Sequence, residues 1–307
     1  MSFVKLLKII IQMTFTTLAV MGVVIFLVGL LPDYSSFELE QNSVLAQAFK
    51  TTDQSFLHRN WNFWQDCLFK NMGLSRVHKD RSVGEILRRD GSITLGLLFF
   101  SIMVSAIFGT IIGLVAGIKK DSIISKLIDV IGLFVTSLPS FLLVPILIYF
   151  FALKWSVFPV GLWVGPQSFV LPVVALSARP IFFLARIFAE ELNEASKELY
   201  IITAKAKGLK YWSIWFYHVI PNSITSLIIG IGNLFGQLIT GTFLVETLFA
   251  LPGLGFLFVK SLSERDYPVF LGLVLIFTIA LQLGHRLSDI ILQKFGEVKL
   301  SEQELAG

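Results

Sequence analysis

The sequence predicts an all-α integral membrane protein with six transmembrane helices. Hydrophobic residues make up 55% of the 307 residues and charged residues only 15%, whereas a soluble domain has about 25% charged residues. Six apolar segments reach the roughly 20 residues that a helix needs to cross a bilayer. A polar segment, 190–222, separates two of them and predicts a helical surface outside the membrane.

The predicted spans form a single membrane domain, 1–307, since no linker, low-complexity segment or internal repeat divides the chain. They are 9–31, 93–118, 127–153, 169–188, 224–244 and 269–287. Lys5 and Lys8 precede the first span as in a secretory signal, but the span is too long and lacks a small-x-small cleavage site, so we expect it to stay uncleaved. Pro139 and Pro145 predict kinks in the third span.

Six spans place both termini on the side of the polar segment. The short loops on this side have more lysine and arginine, which the positive-inside rule assigns to the cytoplasm. We therefore expect cytoplasmic termini and an extracytoplasmic loop over 32–92, although Arg88 and Arg89 in that loop do not fit the rule. The net charge of +4 favours contact with anionic membrane lipid over nucleic-acid binding, because the basic residues form no long cluster.

The polar segment 190–222 predicts helix, turn and helix. Residues 190–207 are good helix formers, with carboxylates in the first turns and Lys205 and Lys207 in the last. Gly208 is expected to end this helix as a C′ residue. A second short helix over 210–219 has an aromatic face, and Pro221 and Asn222 are expected to end it before the next span. So large a polar insert between membrane spans predicts a docking surface.

This segment resembles the cytoplasmic EAA-type coupling loop of ABC importer membrane subunits, which reads EAA, three residues, Gly, nine residues and Ile-x-Leu-Pro. Ala204, Gly208, Ile220 and Pro221 stand at the matching spacings. Its departures resemble the oligopeptide and dipeptide permease branch, D-Y-x-x-T-A-x-A-K-G and then H-x-L-x-N, with the acid displaced to Glu198. The ATPase-coupling residues that this resemblance implies are Glu198, Tyr200, Thr203, Ala204, Ala206, Lys207, Gly208, His218, Pro221 and Asn222.

A second motif follows the fifth span. Residues 241–257, GTFLVETLFALPGLGFL, and then Arg-Asp-Tyr-Pro at 265–268 resemble the pattern G-s-x-x-V-E-x-x-F-x-x-P-G-L-G-x-L and R-D-y-P of the same branch. The position of Glu246 near a span end also predicts that its carboxylate reaches the headgroup region. The matching residues are Gly241, Glu246, Phe249, Pro252, Gly253, Gly255, Arg265, Asp266 and Pro268.

The resemblance implies a type I ABC importer transmembrane domain, in which spans two to six form the core and span one wraps the neighbouring subunit. It also implies a homologous second permease subunit, two ATPase subunits and an extracytoplasmic solute-binding protein as partners. The chain has no G-x-x-x-x-G-K-[ST] motif, so ATP and Mg²⁺ are expected on the ATPase subunits and no cofactor on this chain. No catalytic residue is predicted, and His58, His78, His218 and His285 show no metal-ligand spacing.

The predicted function is that of a permease subunit in the cell membrane, which imports oligopeptides or dipeptides with a binding protein and ATP. Importers of nickel or of a metal chelate in the same branch remain an alternative. A self-sufficient secondary transporter or channel is another, but it would ordinarily have several ionisable residues near the bilayer centre. Apart from Arg179 the chain has almost none there, and for Arg179 both a structural pairing with a partner helix and a functional role are open. No substrate-binding residue is predicted.

Overall fold

The computed structural model describes residues 3–29, 72, 74–75, 77, 81–120 and 122–306. Most of the predicted outer loop 32–92, the last two residues of the predicted first span, and His58 and His78 therefore lie outside the described residues. All regular elements among the described residues are helical. The one β feature within them is an isolated antiparallel bridge between Leu74 and Ser82.

Ten α-helices lie in the described part of the chain. In chain order they are α1 Phe3–Gly29, α2 Val83–Ile118, α3 Ile123–Ser137, α4 Ser140–Leu147, α5 Val170–Ala195, α6 Leu199–Ala206, α7 Tyr211–Ile214, α8 Ile220–Leu248, α9 Leu254–Ser263 and α10 Tyr267–Ala306. A π-helical segment, Ile148–Lys154, continues α4, and another, Trp215–Val219, joins α7 to α8. A 3-10 helix, Pro166–Phe169, leads into α5.

Five helices within the described part of the chain are long and apolar enough to cross a membrane, and the count is six if one bent pair is a single span. The bent pair lies where the sequence predicts the third span, and the chain bends by 112° between its halves, Ile123–Ser137 and Leu142–Lys154. Leu138 is extended, with φ −70° and ψ 130°, because the ring of Pro139 disfavours the helical conformation at the preceding residue. The predicted kink at Pro139 is thus a complete break in the helix, whereas Pro145 lies inside α4.

The chain divides into two compact units, Met1–Leu95 with Leu251–Gln282, and Gly96–Ala250 with Leu283–Gly307. In the first unit, one apolar cluster joins α1 to α10 and another joins α2 to α9 and α10. The buried members of the first cluster are Met21, Ile25, Val28, Tyr267, Leu271 and Leu275. Those of the second are Val83, Ile86, Leu87, Leu254, Leu257, Val269 and Leu273.

In the second unit, α2 and α5 approach each other along glycines that recur every fourth residue of α2. A methyl group added at Gly113 would lie 2.7 Å from the carbonyl oxygen of Ala185, and one added at Gly109 would lie 2.8 Å from Cβ of Leu184. Small residues at this spacing let two helix backbones pack closely. The contact between α2 and α5 therefore leaves no room for a side chain at these positions.

Candidate docking site

The segment 190–222 contains the end of α5 and two short helices, all within the second unit. The predicted single helix over 190–207 is wrong, because α5 ends at Ala195 and α6 begins only at Leu199. Glu198 has φ −60° and ψ 150°, which is extended backbone at the N-cap position of α6, and its side chain makes no capping hydrogen bond. The break turns α6 into a separate element.

Gly208 forms the turn after α6, in agreement with the predicted helix stop. Its φ is 77°, in the left-handed region. The N–H of Gly208 donates to the carbonyl of Lys205 at 3.0 Å, and that of Leu209 donates to Ala204 at 3.3 Å. A Cβ at Gly208 would meet nothing within 4 Å. Glycine is therefore required here for its backbone conformation and not for packing.

The second short helix does not end at Pro221, contrary to the sequence prediction. α7, the π-helical turn Trp215–Val219 and α8 form one helix, Tyr211–Leu248, of 38 residues. Pro221 lies in the first turn of α8, directly after the turn in which the hydrogen-bond spacing widens, and a proline is tolerated at such a position. The short aromatic helix and the fifth predicted span are thus one element.

Buried side chains hold the short helices on the second unit. Ile201 and Ala204 of α6 are buried, and so are Ile214, Trp215 and Val219 of the helix that follows. Because the apolar residues point inward, the opposite faces of both helices are exposed.

Two hydrogen bonds tie this segment together across its length. Nδ2 of Asn222 donates to the hydroxyl of Tyr200 at 2.8 Å, which joins two residues that the sequence assigned to the same site. The hydroxyl of Ser226 donates to the Glu191 carboxylate at 2.9 Å and links α8 to α5. The first bond holds α6 against the start of α8, and the second holds the end of α5 against it.

The outward face of the segment is unusually aromatic. We define the aromatic surface as Tyr211, Trp212, Phe216 and Tyr217, of which Trp212 is 57% and Tyr217 76% exposed. The Trp212 and Phe216 rings stack with centroids 6.0 Å apart, and Tyr211 meets Trp212 edge-on at 5.6 Å. Large apolar groups exposed among polar neighbours mark sites of interaction. Leu199, Ile202 and Leu209 add further exposed apolar side chains.

The other predicted coupling residues differ in how far their side chains are exposed to solvent. The hydroxyl of Thr203 donates to the carbonyl of Leu199 in its own helix at 3.1 Å, and His218 is partly buried in the π-helical turn. Ala206, Lys207 and Pro221 are exposed. That these residues contact an ATPase stays a prediction.

The second sequence motif begins in the second unit, where its residues are packed. A Cβ at Gly241 would lie 2.7 Å from Cδ1 of Leu176. Phe249 is buried, and its carbonyl accepts a hydrogen bond from the N–H of Leu162 at 3.0 Å. The prediction that Glu246 reaches the headgroup region is wrong, because its side chain is 0% exposed. α8 continues past the predicted span end to Leu248, which places Glu246 on a packed face of the helix.

The remainder of the motif belongs to the first unit and is also mostly buried. The N–H of Leu254 donates to Oγ1 of Thr94 at 2.8 Å. Asp266 accepts from the hydroxyl of Ser75 at 2.5 Å and from the N–H of Val77 at 3.3 Å. Of the other motif residues, Gly253, Gly255 and Pro268 are buried, Pro252 is partly buried, and Arg265 is exposed with φ 58°. Most residues of the motif are thus packed inside the fold. Ser75 and Thr94, which are distant in sequence and were not predicted, provide hydrogen-bond partners for it.

Comparison with known families decides what kind of membrane protein carries this segment. The family described as "Binding-protein-dependent transport system inner membrane component" matches residues 109–296. The chain belongs to this family. The match includes the polar segment and the second motif, so the recognition made from these two patterns is confirmed. This inner membrane component is a multi-pass membrane protein.

Curated relatives of this inner membrane component cover most of its length. The dipeptide transport system permease protein DppB of Bacillus subtilis is 29% identical over 244 residues, 80% of this chain and 79% of the relative. The oligopeptide transport system permease protein OppB of Haemophilus influenzae is 30% identical over 240 residues, 76% and 78% of the two chains. The glutathione transport system permease protein GsiC of Escherichia coli O6:H1 is 29% identical over 239 residues, 78% of each.

A solved structure supports the fold of this inner membrane component. The crystal structure of an amino acid ABC transporter with histidines matches with a TM-score of 0.56 and 16% sequence identity, over 68% of this chain and 94% of that chain. At this identity the likeness concerns the fold alone. The predicted all-α fold of an ABC importer transmembrane domain is confirmed.

Proposed function

We propose that this inner membrane component is a permease subunit of an ATP-driven importer of oligopeptides or dipeptides. The dipeptide and oligopeptide permeases among its relatives support peptides as the substrate class. A homologous permease subunit and a solute-binding protein complete the transport path, and two ATPase subunits bind ATP and Mg²⁺. The segment 190–222 is the surface on which an ATPase subunit docks from the cytoplasm.

The exposure of the aromatic surface is the observation on which this proposal rests. Each aromatic side chain removes about 150–250 Å² from water when a partner covers it, and such anchors dominate binding energies at protein interfaces. Trp212 and Phe216 lie on a helix that is held from behind by Ile214 and Trp215. A partner would therefore meet a preformed and rigid surface, which lowers the entropy lost on docking.

Charge on the same segment favours a partner with acidic groups around its cleft. Lys205, Lys207 and Lys210 are all exposed next to the Gly208 turn. Complementary charge across an interface speeds association and selects the orientation of docking. The aromatic surface supplies the binding energy in this arrangement, and the lysines direct the partner onto it.

Combined Trp212→Ser and Phe216→Ser substitutions are expected to remove the ATPase subunits from the purified complex. Loss of two stacked anchors at an interface costs more than about 2 kcal/mol, or roughly a thirtyfold weakening. The measurement is the amount of ATPase that co-purifies with the tagged permease. Trp163→Ser is the matched control, since Trp163 is also exposed but lies in the loop predicted on the opposite side of the membrane. Unchanged ATPase retention in the double variant would refute the docking role.

The orientation of the segment is tested by labelling single cysteines from each side of the membrane. Cys67 is the one native cysteine, so a Cys67→Ser background is unreactive. Lys197 is exposed in the cytoplasmic segment, and Gln167 is exposed in the predicted outer loop after the third span. We expect impermeant maleimide to label the Lys197→Cys variant only in inverted vesicles and the Gln167→Cys variant only in right-side-out vesicles. The reverse pattern would put the docking surface out of reach of any ATPase.

A further inference from the structure

One face of α5 carries both charges and aromatic rings along a membrane span. Arg179 is exposed near the midpoint of the predicted span 169–188, and Phe182, Phe183, Arg186 and Glu190 follow it. These residues are spaced by three or four, so they lie on one side of the helix. The face is therefore not the uniformly apolar surface that lipid would cover.

Arg179 needs a polar environment at this depth. Arginines inside membrane spans almost always face a water-filled cavity or pair with another group, because lipid gives a charge no solvation. No hydrogen bond or ion pair of Arg179 is present among the described residues of this chain. The group that satisfies its guanidinium therefore comes from outside the described chain.

A cavity of about 660 Å³ lies between α3 and α5 on the same face. This volume falls in the range of small-molecule binding sites. Phe182, Phe183 and Leu133 contribute an apolar wall, whereas Asp129 and Glu190 are acidic lining residues. Lys120 and Arg186 line the cavity as well and provide positive charge. Arg186 and Glu190 pair with each other at 2.9 Å, so among the described lining residues Asp129 and Lys120 are the charges left for an ammonium and a carboxylate group.

The contacts between α3 and α5 place Arg179 next to this cavity. The Arg186 guanidinium pairs with Glu190 at 2.9 Å and lies within electrostatic reach of Asp129 on α3, and a Cβ on Gly132 would lie 3.0 Å from Cδ1 of Phe182. α3 and α5 therefore run antiparallel. One turn further along α3, Thr136, a lining residue, lies at the level of Arg179. On α5 the lining ends at Phe182 and Phe183, and Arg179 stands one helical turn beyond them, at the end of the cavity.

We propose that Arg179 binds the C-terminal carboxylate of the transported peptide as it passes along the α3–α5 cavity. This inference rests on the proposed function. A guanidinium holds a carboxylate through two parallel hydrogen bonds, and Phe182 and Phe183 present an apolar wall for peptide side chains. The carboxylate of Asp129 lies further along the path, where it suits the peptide ammonium. An acidic side chain of the second permease subunit is the competing partner, but it would leave the adjoining mixed-charge cavity unexplained.

The test compares uptake of two substrate forms by the complete transporter in liposomes. Radiolabelled alanine peptides of two to five residues are loaded to saturation on the binding protein, either as free acids or as C-terminal amides. The variants are Arg179→Gln, Arg179→Lys and, as a charge-matched control, Lys126→Gln on the exposed side of α3 away from the cavity. Uptake is normalised to the amount of assembled complex.

We expect Arg179→Gln to lower free-acid uptake about tenfold, the effect of one charge-assisted hydrogen bond, while amide uptake changes little. Arg179→Lys should recover part of the difference, and Lys126→Gln should leave both rates at wild type. An equal loss for acids and amides, or loss of the second permease from the complex, would assign Arg179 to subunit pairing and overturn the inference. An unchanged acid-to-amide ratio would overturn it too. If the wild-type complex takes up neither form, the proposed peptide function itself fails, and the inference with it.

Discussion

Purified alone and placed in liposomes, this inner membrane component is expected to hydrolyse no ATP and to accumulate no peptide under a proton or sodium gradient. The chain has no phosphate-binding glycine loop in its sequence, and Arg179 is the ionisable residue at mid-span that the sequence reveals. A conformational equilibrium shifts only by the energy that a ligand or partner supplies. That energy should enter through the aromatic surface when the ATPase subunits close.

The measurement is uptake of radiolabelled peptide and release of phosphate as the components are added one at a time. Uptake should begin only when both permease subunits, the ATPases and the binding protein are all present, and omission of any one should return it to background. Empty liposomes and a complex with ADP in place of ATP are the controls. Gradient-driven accumulation by the chain alone would instead support a secondary transporter.

Replacement of Gly113 by leucine is expected to prevent accumulation of the folded protein. Even a methyl group at this position would lie 2.7 Å from the carbonyl oxygen and 3.0 Å from Cα of Ala185. Both contacts are with backbone atoms of α5, so rotation of a side chain cannot relieve them, and the two helices must move apart. Overpacking of this kind costs about 1–3 kcal/mol or more. The Gly113→Leu variant should fall to below about a tenth of wild-type yield on size-exclusion chromatography.

Alanine substitutions in the same helix provide a graded control. Gly113→Ala should lower the thermal unfolding temperature, whereas Gly91→Ala should be neutral or stabilising. A Cβ at Gly91 would meet Cδ1 of Leu254 at 3.8 Å, an ordinary contact, and alanine is favoured over glycine inside helices by up to about 1 kcal/mol. Equal stability of the two alanine variants would show that α2 and α5 do not depend on their close approach.

Local features of this chain were readable from its sequence because they depend on a few neighbouring residues. The apolar spans follow from their length and composition, and Gly208 adopts the left-handed turn that its place after Lys207 predicts. The family was likewise evident from two motifs of fixed spacing. The glycines of α2 also carried a signal, since a small residue at every fourth position of an apolar span is typical of close helix packing.

The tertiary environment explains where the sequence prediction was wrong. Glu246 looked like an interfacial anchor because the predicted span 224–244 ends just before it, but α8 runs on and buries its side chain. Pro221 looked like a helix end, although the π-helical turn before it admits proline in a continuing helix. The bond of Asp266 with Ser75 joins residues 191 positions apart, and no local pattern indicates such a pair.

The uninterrupted helix from Tyr211 to Leu248 has a mechanical consequence. Its 38 residues span about 57 Å at 1.5 Å per residue, which exceeds the roughly 40–45 Å of a bilayer with its headgroups, and they run from the aromatic surface to the buried Glu246. No loop lies between the two ends to absorb a displacement. A push of a few ångströms on Trp212 must therefore appear as tilt, rotation or sliding of the entire rod, and the π-helical turn is the one point along it where the hydrogen-bond spacing already departs from the α-helix. The helix would act as a lever whose short arm carries the aromatic surface and whose long arm is the predicted apolar span 224–244.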